Sequence, residues 1–270
     1  WLLLYCGFVL RSGADRFQST VYPRTEAPFF VLSMGLVGTV AALCSLPGLC
    51  RVAKLVLPVV LGVLVLCLLS ALPFLDGRML TPVSRQEIRA TLIGTLPTLD
   101  ILGWAVACAG FALPVLRRQG GDLPATAGWM GGVCALLSAL GAVVVGFFGP
   151  TPAAKMSWPF FSLVRSLSFW GTVERAEALV VALWVFADFL TLGFLLLAAG
   201  RCVGLLLGSK KRRPLLLCCA GAAMAVGFFL APDSGSLSRW SLLIIPGINL
   251  GFSFLLFPAA YVIGKLRRAL

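Results

Sequence analysis

Histidine is absent from the 270 residues, and only 12% of them are charged. Without imidazole the commonest metal ligand and proton shuttle is missing, which excludes the usual zinc and haem sites. The nine cysteines do not replace it. Cys218 and Cys219 are adjacent and most of the others lie inside apolar runs, so they read as small apolar helix residues, and neither metal nor cofactor is expected. The chain also lacks a nucleophile elbow, a phosphate-cradling glycine loop and a paired carboxylate motif. An enzyme is therefore not expected. A basic leader followed by a cleavage site is missing too. The opening stretch Trp1–Leu10 spans only about 15 Å as a helix, half a hydrocarbon core, and is expected to be the second half of a helix that starts upstream.

What is abundant is apolar surface. Sixty per cent of the residues are hydrophobic and mean hydropathy is +1.00, against about 45–50% apolar and about 25% charged in soluble domains. A chain of this composition has the bilayer as its solvent. The net charge of +12 gathers in short runs between apolar blocks, such as Lys210–Arg213 and Lys265–Arg268. Such runs suit loops beside anionic lipid rather than a nucleic-acid surface.

Hydropathy predicts spans over residues 29–46, 55–72, 90–116, 125–148, 176–203, 214–230 and 242–263, after a partial span over 1–11. None alternates with the period of a barrel strand, so all are expected to be helices of a single transmembrane domain. The two basic clusters fall on one side of this arrangement with Arg51, Lys54, Arg117, Arg118 and Arg201, which marks that side as cytoplasmic. Residues 157–171 are not a span. Phe160, Phe161, Val164, Leu167 and Ser168 recur at helical spacing, with Arg165 among them, and predict a short helix in the membrane interface.

The span over 90–116 holds the candidate site. Pro97 cannot donate to the helix ladder, and Gly94 and Gly103 loosen the backbone around it. A break is expected there, with Gly94, Thr95, Leu96, Pro97 and Thr98 offering backbone groups and hydroxyls to a solute. Asp100 follows at once. A carboxylate in mid-bilayer costs about 2.5–3.5 kcal/mol and belongs in a bundle interior or wet cavity. Asp188 is a second acidic residue inside a span. It is expected to face Asp100, to pair with an arginine near a membrane boundary, or to form an interhelical hydrogen bond.

Several stretches together resemble the B subunit of bacterial spore nutrient-germinant receptors. They are Gly149-Pro150, Trp158-Pro159, Ser162 to Arg165, Val173 to Leu179 with Glu174-Arg175 at its head, and Leu183-Trp184. Tyr22-Pro23-Arg24-Thr25 and Gly94 to Pro97 add weaker matches in collinear order. The resemblance implies an all-α integral membrane fold like that of amino-acid and polyamine permeases, a LeuT-type bundle of inverted repeats. Against that fold this chain corresponds to helices three to ten, with the first two missing. It implies a sensor of a small nutrient, often an amino acid, that triggers germination in the spore inner membrane with A and C subunits. Pro159, Arg165, Glu174, Arg175 and Trp184 are then motif residues that set structure rather than touch ligand. Many members carry a lysine about seven residues past the tryptophan, where this chain has Thr191. A secondary amino-acid permease of the same fold is the alternative.

Overall fold

A computed structural model describes residues 1–80, 88–112, 122–156, 158–167, 176–209 and 211–266. The described residues form helices and turns, with no strand among them. Twelve α-helices follow one another among the described residues: α1 Leu2–Thr20, α2 Ala27–Leu43, α3 Leu46–Ala71, α4 Ile88–Ala112, α5 Asp122–Phe148, α6 Pro150–Lys155, α7 Pro159–Ser166, α8 Ala176–Leu206, α9 Arg212–Phe229, α10 Ser234–Arg239, α11 Ile245–Gly251 and α12 Phe257–Leu266. Among the described residues six stretches are long and apolar enough to cross a membrane: Leu46–Phe74, Gly94–Ala112, Pro124–Phe148, Val180–Leu206, Arg212–Phe229 and Ser234–Leu266. Among the described residues Ala27–Leu43 is a shorter apolar helix. With its composition, this makes the protein a multi-pass membrane protein.

Local chemistry explains where the helices start and stop. Ser45 caps α3 by accepting from the Gly48 amide at 3.3 Å, with Pro47 in the first turn where no intrahelical donor is needed. Gly149, at φ 80°, supplies the positive dihedral that separates α5 from α6, and Pro150 then opens α6. α8 closes on Gly208 at φ 59°. There the Ser209 amide reaches the Gly204 carbonyl at 3.0 Å and the Gly208 amide reaches that of Leu205 at 3.4 Å. That pairing is a Schellman turn.

The chain divides into two compact units. One comprises residues 2–80 and 143–237. In it α1, α2, α8 and α9 pack on one another, and α3 and α7 pack on α8. Close approach is built into the sequence: a Cβ on Gly7 would sit 2.9 Å from the backbone nitrogen of Gly227. α1 continues past Arg11 to Thr20, and the charged residues Arg11, Asp15 and Arg16 are buried in it. Within the short interfacial helix expected over 157–171, α7 covers Pro159–Ser166, and residues 157 and 168–171 lie outside the described residues. Its apolar face is covered by protein rather than lipid. Phe161 and Val164 join Cys67 of α3 and Val180, Val181 and Val185 of α8 in one cluster, while Arg165 is exposed.

The other unit comprises Trp1, residues 81–142 and residues 238–270. Its centre is α4 packed on α11. Here the last long helix departs from α geometry twice, with π-helical segments at Trp240–Ile244 and Phe252–Leu256 on either side of α11.

Candidate ligand site

The expected break at Pro97 is absent. α4 runs as continuous α-helix from Ile88 to Ala112 with Pro97 inside it. The physical reason is modest: one proline removes a single N–H, and the remaining ladder on both sides keeps the helix in register. The carbonyl of residue 93 is still left without its N–H from position 97. Gly94, Thr95 and Thr98 are exposed on this helix, and Leu96, Pro97 and Asp100 are half-buried. A Cβ on Gly94 would meet nothing within 4 Å.

The irregular backbone lies instead in the helix that faces α4. Asn249 of α11 is fully buried, and its Nδ2 donates to Asp100 Oδ1 at 2.6 Å. Asn249 Oδ1 accepts from Trp1 Nε1, also at 2.6 Å. One turn further on, the Ser253 hydroxyl donates to the Gly103 carbonyl at 2.5 Å. Asn249 sits between the two π-helical segments, and single π turns inside α-helices recur at functional sites. The polar relay is roofed by aromatics. Trp1 stacks on Phe252 with centroids 4.7 Å apart and on Phe111 at 6.0 Å. Phe257 meets Phe252 and Phe111 edge-on at 5.2 and 5.9 Å.

Asp100 has an amide neighbour and, among the described residues, no cation. Among the described residues the sole ion pair is Arg16 with Asp188. The Asp100 carboxylate therefore has acceptor capacity left for a positively charged donor.

Asp188 and its partner both belong to the unit of residues 2–80 and 143–237. Arg16 Nη1 lies 2.8 Å from Asp188 Oδ2, an arginine pair that is also a hydrogen bond between α1 and α8. The guanidinium of Arg16 also lies over three rings, with centroids at 5.1 Å for Trp158, 5.4 Å for Trp184 and 5.8 Å for Phe161. Asp15 is held by Trp158 Nε1 at 3.1 Å and by the Ser234 hydroxyl at 2.6 Å. Arg11 Nε donates to the Ala231 carbonyl at 2.7 Å.

The motif residues thus divide. Trp184 belongs to the Arg16 cage. Pro159 opens α7, and Arg165 lies exposed in its last turn. Glu174 and Arg175 lie outside the described residues. None of the described three joins the α4 site. Sequence reasoning missed Asn249, Trp1, Arg11, Asp15 and Arg16. A lone asparagine two residues after Pro246-Gly247 in an apolar span was a readable signal for the first. The spacing of Arg11, Asp15 and Arg16, four and five residues apart on one helix, was a signal for the last three.

Among the described residues no group of three or more histidine, cysteine, aspartate or glutamate side chains converges as metal ligands do. No curated protein and no solved structure matches the chain. Residues 1–234 match the family described as spore germination protein, a stretch that contains α4 and the Arg16 cage and ends before Asn249. By that match over most of its length, the chain belongs to the spore germination permease family.

Proposed function

We propose that this protein is the membrane subunit of a spore germinant receptor, one that senses a small nutrient such as an amino acid and triggers germination. The observation that carries the reading is Asp100, an aspartate within an apolar helix whose carboxylate is oriented by Asn249 and has no cationic partner among the described residues. Such a group meets its desolvation cost best with a ligand ammonium. Gly94, Thr95, Leu96, Pro97 and Thr98 are the further positions on α4 proposed for ligand contact, through hydroxyls, the carbonyl freed by Pro97 and the open space at Gly94. Family membership supports the germination role. The proposal includes the permease-like inverted-repeat arrangement, the spore inner membrane as location, and A and C subunits as partners. A binding event signals only if the ligand prefers one conformation of the receptor, because equal affinity for both shifts nothing.

The test is germination of spores that carry variants of the otherwise complete receptor. Thr95→Val and Pro97→Ala are expected to weaken the nutrient response without lowering the amount of receptor in the membrane. Asp100→Asn is expected to change which nutrients trigger germination, because it removes charge and keeps shape. An unchanged dose response in all three would place the ligand elsewhere. Accumulation of labelled amino acid by proteoliposomes would favour a permease over a receptor.

A further inference from the structure

The junction of α8 and α9 concentrates cations, and among the described residues none of them forms an ion pair. Between Asp188 and Asp233 no acidic residue occurs, whereas Arg201, Lys210, Lys211, Arg212 and Arg213 all fall in that interval. Two of these arginines line one cavity of about 490 Å³, together with Gly200, Gly204, Leu205 and Ser209. Its floor follows from the turn chemistry: glycines at 200, 204 and 208 recur once per turn, so one side of the end of α8 carries no side chains, and the Schellman turn brings Ser209 back over it.

The two guanidinium groups are placed differently. Arg212 Nη2 donates to the carbonyls of Ala42 and Cys44, at 3.3 and 2.7 Å, and so seats the side chain on the end of α2. Its Nε and Nη1 have no partner among the described residues. Arg201 makes neither hydrogen bond nor ion pair among the described residues. Both therefore present unused donors to the same cavity, in the planar fork geometry that suits phosphate oxygens.

The cavity also has a fixed depth. Membrane-length helices end at Leu206 and begin at Arg212, so it lies at a boundary of the apolar layer. Leu205 and Leu206 are 84% and 85% exposed, an apolar surface beside the charged one. An occupant that matches both halves has a phosphate in the cavity and a hydrocarbon chain along the two leucines. A zwitterionic headgroup would bring its ammonium against guanidinium groups with no carboxylate to receive it. From this we infer that the cavity at the α8–α9 junction binds the phosphodiester headgroup of an anionic phospholipid. This site is separate from the proposed nutrient site and stands or falls without it.

Native mass spectrometry of the full chain in detergent tests the inference, with titration by phosphatidylglycerol, phosphatidylcholine and inorganic phosphate. Phosphatidylglycerol is expected to be retained about fivefold or more better than phosphatidylcholine, and Arg201→Gln to reduce its retention by about fivefold. Arg51→Gln, which removes an exposed cation elsewhere, is expected to leave retention unchanged. Photo-crosslinking of the unaltered protein with a phosphatidylglycerol probe labelled in the headgroup region is expected to mark residues 200–215, a measurement that does not depend on any variant folding. Equal retention of the two lipids, equal effects of the two substitutions, or crosslinks outside that stretch would overturn the assignment. Displacement of phosphatidylglycerol by millimolar inorganic phosphate would also overturn it, and would identify a site for free phosphate instead.

Discussion

Arg16 and Asp188 stand 172 positions apart in the sequence and 2.8 Å apart in space, Nη1 to Oδ2, with both side chains about nine-tenths buried. The pair joins α1 to α8 inside an apolar bundle, and the three rings around Arg16 take up the faces of the guanidinium that Asp188 leaves uncovered. Charges placed so deep are tolerated because they are matched. The same matching makes them sensitive to single substitutions.

Asp188→Ala leaves a buried guanidinium without its anion. It is expected to destabilise the protein by about 3–5 kcal/mol, read as a large fall in melting temperature in detergent micelles. The double variant Arg16→Met, Asp188→Leu is expected to recover most of that loss, because it removes both charges and keeps the volume filled. If the double variant melts as low as the single one, packing rather than charge holds this contact.

Asn249→Leu removes the donor to Asp100 and the acceptor for Trp1 at once. The expected cost is about 1–3 kcal/mol for the polar groups left behind, and the proposed nutrient response should weaken with it. Asn249→Gln keeps both functions at the wrong reach. A melting temperature near that of the native chain together with a shifted dose response would separate positioning of Asp100 from stability.

Gly7→Ala and Gly94→Ala make the same chemical change in opposite surroundings. At Gly7 the new Cβ meets the Gly227 backbone at 2.9 Å, which cannot swing aside as a side chain does. A loss of about 1–3 kcal/mol is expected. At Gly94 it meets nothing within 4 Å, and stability should hold or rise by up to about 1 kcal/mol. A nutrient response that falls in Gly94→Ala at unchanged melting temperature would support close ligand approach there.

Gly208→Val places a β-branched side chain at φ 59°, where L-residues are strained by about 1–2 kcal/mol. It is expected to open the Schellman turn at the end of α8. Faster amide exchange at Ser209, with exchange in the middle of α8 unchanged, would register the opening; no change at Ser209 would argue against it.

Much of the fold was readable because membrane helices are written in long apolar runs. The stretches Leu46–Phe74, Val180–Leu206 and Arg212–Phe229 each combine length with few charges, and the bilayer permits only helices for such runs on this scale. α1 was harder. Arg11, Asp15 and Arg16 interrupt its apolar run, so hydropathy ends the segment near residue 11, although the helix continues to Thr20 because each charge finds a partner from elsewhere in the unit. Pro97 misled in the opposite direction. It marks where a helix is able to break, but whether it does depends on what its neighbours supply, and α4 stays whole.

The amino-acid sequence alone determined that this chain lives in a membrane as helices, since composition and run length decide the solvent and the solvent decides the secondary structure. It also contained the family motifs, because those are local strings. Only tertiary structure decided which polar groups meet: Asp100 with Asn249 rather than with Asp188, and Asp188 with Arg16. Those pairings span 149 and 172 residues. Hydropathy assigns each residue to the membrane or to water, but it holds no information about the rotation of one helix against another, and that rotation is set by packing.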